Sequence, residues 1–515
     1  MRSRIFDVVA CRQRDVVRSP RMNGITERIA TWAASCRYED VPASSLERAR
    51  LQAASVLGGV FAGAHTEAGR RVVEAVSSWG SGDEASVLPE GTRLPLHGAA
   101  YVNAARSVSL DWDDYLFAGH TGHSAVLGAL AWGEKVGASG RDVLAAQVVA
   151  NEAGGRLGAA FLLGPHNGQM WAYIHALEGA CIAGRFLGLD AARMGHAVGI
   201  ALAQPPYPLA PAFFGPDSKA LLAAGPLVDG MRAASLAAAG LTGADDVLGA
   251  PDGMLARLGP KPFRFPFSAF GTSWVTDSLT YKMYPGCAYV DTGVDAMTEI
   301  RGMFAEKNGR ALMPEDVASI RVEATMFTCG MEAMGAPHRL RGRLRAIDVN
   351  FSVGLSLGVL LVCGAVDAET LSPSSLAKNR AAIERIDSLT SLELDPALTA
   401  EVGGLKEAGI DLGAYLADGT EPASLDGADF GKFEMRFPSR VTLETTSGAT
   451  FMSEVAIPVG GAGRPWAETV GGVRRKFVQN ARHLDDSDDA FERVMAIDEA
   501  NDVRDLVESI TGGGT

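Results

Sequence analysis

Three carboxylates (Asp111, Asp113, Asp114) and two imidazoles (His120, His123) fall within thirteen residues of the stretch Leu110-Asp-Trp-Asp-Asp-Tyr-Leu-Phe-Ala-Gly-His-Thr-Gly-His-Ser-Ala-Val126. Carboxylates beside imidazoles can hold a proton on one group and accept one on the other near neutral pH, which is the equipment of acid–base chemistry. Gly119 and Gly122 break the chain between them, and the flanks are apolar and rich in small residues. Helix packing would therefore bury these ionisable groups. The plainer alternative is a set of caps and a solvated turn at a helix end. A metal site is a third option, disfavoured because His120 and His123 are spaced across glycines without a helical His-Glu-x-x-His pattern.

The elements that position this stretch read mostly as helices. From Ile25, apolar residues Ile29, Trp32, Ala33 and Cys36 share a face, and Ser44 with Glu47 has the form of a capping box ahead of Leu46 to Val60. Gly98 to Leu110 leads helically into the Asp/His run. Ser139 caps Val143 to Leu163, and helices follow at His175 to Leu187 and Asp190 to Ala203. Their faces are dominated by Ala and Gly, which lets helix axes approach closely and predicts a compact all-helical unit. Lys219, in Phe214-Gly-Pro-Asp-Ser-Lys, reads either as a solvated side chain or, beside its Gly-Pro loop, as an anion contact.

Around Ser278 the pattern changes. Lys282-Met-Tyr-Pro-Gly-Cys-Ala-Tyr-Val-Asp291 leads into a helix from Gly293 to Phe304, and Ala318 to Phe327 alternates like a strand. Phe351 to Val366 reads as a buried helix, and Arg440 to Val455 as a hairpin turning at Ser447-Gly448. Beyond Pro465 the pattern is helical again, from Ala467 to Ala481 and Asp485 to Ile510. The fold class expected is mainly α: a large all-helical domain built from N- and C-terminal parts (23–277 and 457–515), with an inserted smaller α+β lid domain (278–456). Residues 1–22, with Arg2, Arg4, Arg12, Arg14, Arg18 and Arg21 but no long apolar core, read as a tail or upstream extension, and folded sequence is expected to start near Met22.

Composition bounds the function. At 515 residues, 47% hydrophobic and 21% charged, the chain has material for more than one core. A net charge of −14 disfavours nucleic acid and anionic membrane surfaces as partners, while a local basic pocket for a small anion stays compatible with it. No apolar run has the length of a membrane span. The six cysteines (Cys11, Cys36, Cys181, Cys287, Cys329, Cys363) are scattered, with no Cys-x-x-Cys, and read as reduced thiols of a cytoplasmic protein.

Four stretches in order resemble the MmgE/PrpD family, which includes 2-methylcitrate dehydratase and cis-aconitate decarboxylase. They are Leu110-Asp-Trp-Asp-Asp with Gly119-His120; Lys219 ahead of the Ala/Gly helix ending Ala239-Gly-Leu-Thr-Gly243; Lys282-Met-Tyr-Pro-Gly-Cys287; and Arg474-Arg-Lys-Phe-Val-Gln-Asn-Ala481. The resemblance implies a cofactor-free, metal-free lyase, usually a homodimer, acting on a small carboxylate-bearing substrate in a cleft between the helical domain and the lid. By position, Asp111 matches the family's first aspartate, His120 its catalytic histidine, and Lys219 and Lys282 the lysines that meet substrate carboxylates.

The chain departs from the family pattern at several of these points. Gly119-His-Thr-Gly-His-Ser124 replaces the usual Gly-His-Pro-Ser, so His123 is an alternative acid–base group, and Tyr115 stands where Thr is common. Gln169 falls where many members have histidine, with His175 nearby, and Asp291 replaces a histidine after the lid motif. The function expected is dehydration or decarboxylation with Asp111 and His120 or His123 as catalytic residues. Tyr115, Gln169, His175, Lys219, Lys282, Tyr284 and Asp291 are the expected substrate contacts. Epimerisation by proton abstraction and return, or a non-catalytic binding role, are the alternatives.

Overall fold

The structure, a computed structural model, describes residues 24–163, 172–207, 209–340 and 342–512, and is mainly helical with a small sheet region. Its largest core runs from Ile25 to Tyr281 and is completed by Val473, Phe477, Phe491, Val494, Leu506 and Ile510 from the end of the chain. Among the described residues, no helix is long and apolar enough to cross a membrane.

The abundance of glycine and alanine has a direct structural outcome. Helices Tyr173–Phe186 and Ala224–Ala238 pack backbone to backbone. A Cβ on Gly179 would overlap the carbonyl of Leu227, and one on Gly230 would overlap the carbonyl of Ala176. Helix Trp466–Asn480 lies against Ala43–Ala64, and Phe477 is fully buried there, with its ring centroid 5.6 Å from Phe61 and 5.8 Å from Phe491. Phe477→Ala is therefore expected to destabilise the helical body by about 3–5 kcal/mol, read as a lower denaturant midpoint.

A second core gathers residues from Val290 to Val455. Its four-stranded sheet has the spatial order Thr390–Leu394, Val317–Ala324, Ser439–Thr445, Thr450–Val455. The first pair is parallel and the other two antiparallel. The strand Ser439–Thr445 turns its alternate residues Val441 and Leu443 inward against helices Ala288–Asn308 and Val353–Cys363. The hairpin turns at Ser447-Gly448, where Gly448 takes φ 81°.

Several element boundaries differ from expectation for local reasons. Pro42 takes the N-cap position of helix Ala43–Ala64, so Ser44 and Glu47 form no capping box. They bond instead to Asp277 (3.2 Å) and to the Trp466 indole N–H (2.7 Å). The strand expected to reach Phe327 stops at Ala324 because Thr325 caps the helix Met326–Gly335. The expected helix 485–510 is divided into Ser487–Met495 and Val503–Ser509, each started by its own aspartate cap, Asp486 and Asp502. The helix expected from Gly293 begins at Ala288, which places Asp291 in its first turn.

Candidate active site

The Asp/His stretch leaves helix Leu96–Val108, forms the two-residue strand Asp114–Tyr115, and enters helix Gly122–Val136. The short strand pairs antiparallel with Thr280–Tyr281, with Asp114 opposite Tyr281 and Tyr115 opposite Thr280. The ladder continues past the strands: the Lys282 amide donates to the Asp113 carbonyl and the Gly286 amide to the Asp111 carbonyl, both at 3.1 Å. The Trp112 indole N–H donates to the Lys282 carbonyl at 3.1 Å. Asp111 holds a left-handed backbone, φ 58°, a conformation that costs free energy in a non-glycine residue and recurs where geometry serves function.

The side chains form one buried ionic cluster. Asp111 lies between two ammonium groups, with Lys219 Nζ at 2.8 Å from Oδ2 and Lys282 Nζ at 2.9 Å from Oδ1. Lys282 also reaches Asp113 Oδ1 at 2.6 Å. The second Asp113 oxygen faces both imidazoles, His120 Nδ1 at 2.5 Å and His123 Nε2 at 3.1 Å. Thus Asp113 is the partner of His120, while Asp111 is occupied by the lysines.

Electrostatics follow from this geometry. Burial pushes the Asp111 and Asp113 carboxyls up, but the adjacent ammonium groups outweigh it and hold both below the ordinary carboxylate value, Asp113 strongly so. Burial lowers Lys282 too, yet Asp111 and Asp113 outweigh it and raise the amine. Lys219 ends below its ordinary value because burial exceeds the help from Asp111. Burial also lowers His120, against the pull of Asp113, so its imidazole is neutral near pH 7. With Nδ1 directed at a carboxylate, that nitrogen carries the ring proton, leaving the Nε2 lone pair for the cavity that His120 lines.

That cavity, of about 490 Å³, has Asp111, Lys282, His120 and Tyr115 at its polar end. Tyr115 packs 5.5 Å from the His120 ring, and its buried hydroxyl has no hydrogen-bond partner among the described residues. His123 lies deeper, fully buried, with Nδ1 2.7 Å from Ser107 Oγ. His175 pairs with Ser124 Oγ (2.8 Å) and Glu178 (3.4 Å) and is outside the cavity lining. Burial lowers the His175 imidazole well below its ordinary value and raises the Glu178 carboxyl well above its own, so both shifts disfavour the charged forms. Tyr284 donates its hydroxyl to Asp295 at 2.8 Å rather than to the cavity. Asp291 is buried, and that burial pushes its carboxyl well above the ordinary carboxylate value. Lys219 stands behind Phe213 and Phe351, 5.3 and 5.0 Å from their ring centroids, and touches Asp111 from there. Gln169 lies outside the described residues.

The roles of three supports escaped the sequence reading. Asp114 accepts from Gln52 Nε2 at 2.6 Å, and burial with the charge of Asp113 raises its carboxyl to about 6. Gly122 leaves the room its carboxylate occupies, since a Cβ there would overlap it. Lys476 donates to Ser55 Oγ (2.9 Å) and to the Trp112 carbonyl (2.8 Å), and burial lowers it to about 7. Its signal was present in Val473, Lys476, Phe477 and Asn480, a helical face on which this amine is the one charged group. As to metals, Asp113, His120 and His123 bring ligand atoms within 4.8 Å of one another, but Lys282 already supplies a cation to Asp113.

Comparison with known proteins finds a family match in the first half of the chain. Residues 27–266 match the MmgE/PrpD N-terminal domain. The chain is 28% identical over 308 residues to a cis-aconitate decarboxylase of Aspergillus terreus, covering 56% of this chain and 62% of that protein. It is 27% identical over 312 residues to a cis-aconitate decarboxylase of Homo sapiens, covering 57% and 63%. The chain thus spans less than two thirds of the length of these curated relatives. Residues 27–266 are thus similar to the N-terminal domain of the MmgE/PrpD family.

Proposed function

We propose that this protein is a cofactor-independent lyase that dehydrates a carboxylate-bearing small molecule, with His120 as the base. The observation that carries this reading is the neutral His120 imidazole, oriented by Asp113 through Nδ1 and opening onto a cavity beside Lys282. His120 Nε2 takes the proton from the carbon next to the substrate carboxylate. The electron pair released forms the carbon–carbon double bond as the β-carbon–oxygen bond breaks, and the imidazolium returns its proton to the departing hydroxyl, which leaves as water. Lys282 faces the negative charge that develops on the carboxylate, and the unpartnered Tyr115 hydroxyl donates to a substrate oxygen. Residues 278–456, which hold the second core from Val290 to Val455, are proposed as a lid, and the protein as a cytoplasmic homodimer.

The decarboxylase name of the relatives favours a second reading, in which carbon dioxide leaves and an imidazolium protonates the resulting carbanion. Product mass separates the two, by loss of water or of carbon dioxide, and an unchanged mass indicates epimerisation. The pH profile separates them as well. A base is active in its neutral form, so kcat/KM for dehydration should be retained at alkaline pH and fall only as pH drops below the ordinary imidazole value of 6.5, because burial lowers His120. An imidazolium acid would give the opposite limb, with activity lost as pH rises, and that result would exclude dehydration by His120.

A further inference from the structure

The cavity is chemically two-sided. Asp111, Lys282, His120 and Tyr115 occupy one end, and the rest of the wall is mostly hydrocarbon, with Phe117, Phe213, Phe327, Phe351, Phe433 and Phe437 as its bulk. Among the described residues that line it, Asp111 and Lys282 are the only formally charged side chains, and none is an arginine. The two ammonium groups of the cluster are already matched by two carboxylates at 2.6 to 2.9 Å. One substrate carboxylate can share Lys282. A second or third would rest against aromatic rings without a cation, a placement that desolvation disfavours.

We propose that the preferred substrate is an amphiphilic monocarboxylate, a 3-hydroxy acid bearing an aryl or medium-length alkyl group, rather than a small polycarboxylate. This rests on the dehydration reading and specifies the substrate class of the same site. The carboxylate meets Lys282, the carbon next to it faces His120, and the hydrocarbon body lies along Phe437 and Phe327. Phe437 meets Tyr289 edge-on with centroids 4.8 Å apart and lies tilted 6.5 Å from the Tyr115 ring, so it links the aromatic wall to the polar end. An apolar body gains by leaving water for this wall, whereas a carboxylate of the same size loses.

The test uses the full chain and two matched pairs of probes: trans-cinnamate against cis-aconitate for binding by calorimetry, and 3-hydroxy-3-phenylpropionate against citrate for turnover by product mass. Cinnamate is expected to bind at least about tenfold more tightly than cis-aconitate, and Phe437→Ala to weaken cinnamate at least about fivefold while leaving cis-aconitate unchanged. Phe327→Ala, at a half-buried position on helix Met326–Gly335, repeats the measurement if Phe437→Ala does not fold. Tighter binding of cis-aconitate, equal weakening of both acids in the variant, or binding of neither at millimolar concentration overturns the proposal. Citrate losing water in a His120-dependent reaction would overturn it and leave the dehydration reading intact. Cinnamate binding as expected, with no loss of water from either hydroxy acid, would instead remove the dehydration reading.

Discussion

Lys282→Met should both abolish turnover and lower stability by about 3–5 kcal/mol, because it leaves two buried carboxylates without their shared cation. Lys282 is 1% exposed and contacts Asp111 at 2.9 Å and Asp113 at 2.6 Å, so water cannot replace the ammonium without opening the core. Lys219 remains on Asp111, which leaves Asp113 the more damaged partner. The pH dependence has a definite sign. Asp113 has a folded pKa below its ordinary 3.8, so its contribution is present above that value and lost as pH falls through the folded one. Lys282 has a folded pKa above its ordinary 10.5, so its contribution is present below that value and lost only at higher pH. The stability gap between wild type and variant should therefore be widest between these limits and narrow on acidification, as followed by thermal melts across pH. A constant gap down to pH 3 would contradict the ion-cluster account.

His120→Ala should act on chemistry far more than on folding. Removing a positioned base lowers kcat by about 10²–10⁴-fold. Asp113 keeps Lys282 and His123 after the change, and His120 stands at a cavity wall, so the melting midpoint should move little. Lys282 stays in place to receive a carboxylate, so KM should change much less than kcat. His123→Ala gives the informative contrast: that ring is fully buried against Ser107 and Asp113, so its loss should appear first in stability. Loss of turnover in His123→Ala, with His120→Ala active and both variants folded, would transfer the base role to the inner ring.

Much of the architecture was legible because it depends on local periodicity. The Ala/Gly faces of residues 140–238 correctly announced close helix packing, and the alternation after Arg440 announced the hairpin. Helix ends were less legible, since Pro42 and Thr325 outcompeted neighbouring signals by backbone geometry alone. Within the site, residue types identified the participants but not their pairing. Asp111, Asp113 and Asp114 are near neighbours, and only the left-handed turn at Asp111 and the strand at Asp114 send their carboxylates to lysines, imidazoles and Gln52 respectively. The role of Lys476 was not legible because a cation on an amphipathic helix ordinarily faces water, and its burial depends on the distant Trp112 carbonyl.

The pairing of Asp114–Tyr115 with Thr280–Tyr281 bears on how the enzyme would open and shut. Backbone bonds run from this ladder to Lys282 and Gly286, so the lysine and the aspartates it serves ride on one plate. On the proposed lid reading, a hinge beyond Cys287 would swing Phe327, Phe351, Phe433 and Phe437 while the charged floor keeps its spacing. The catalytic dipoles would then be set before a guest arrives, and none of the guest's binding energy would be drawn off to assemble them.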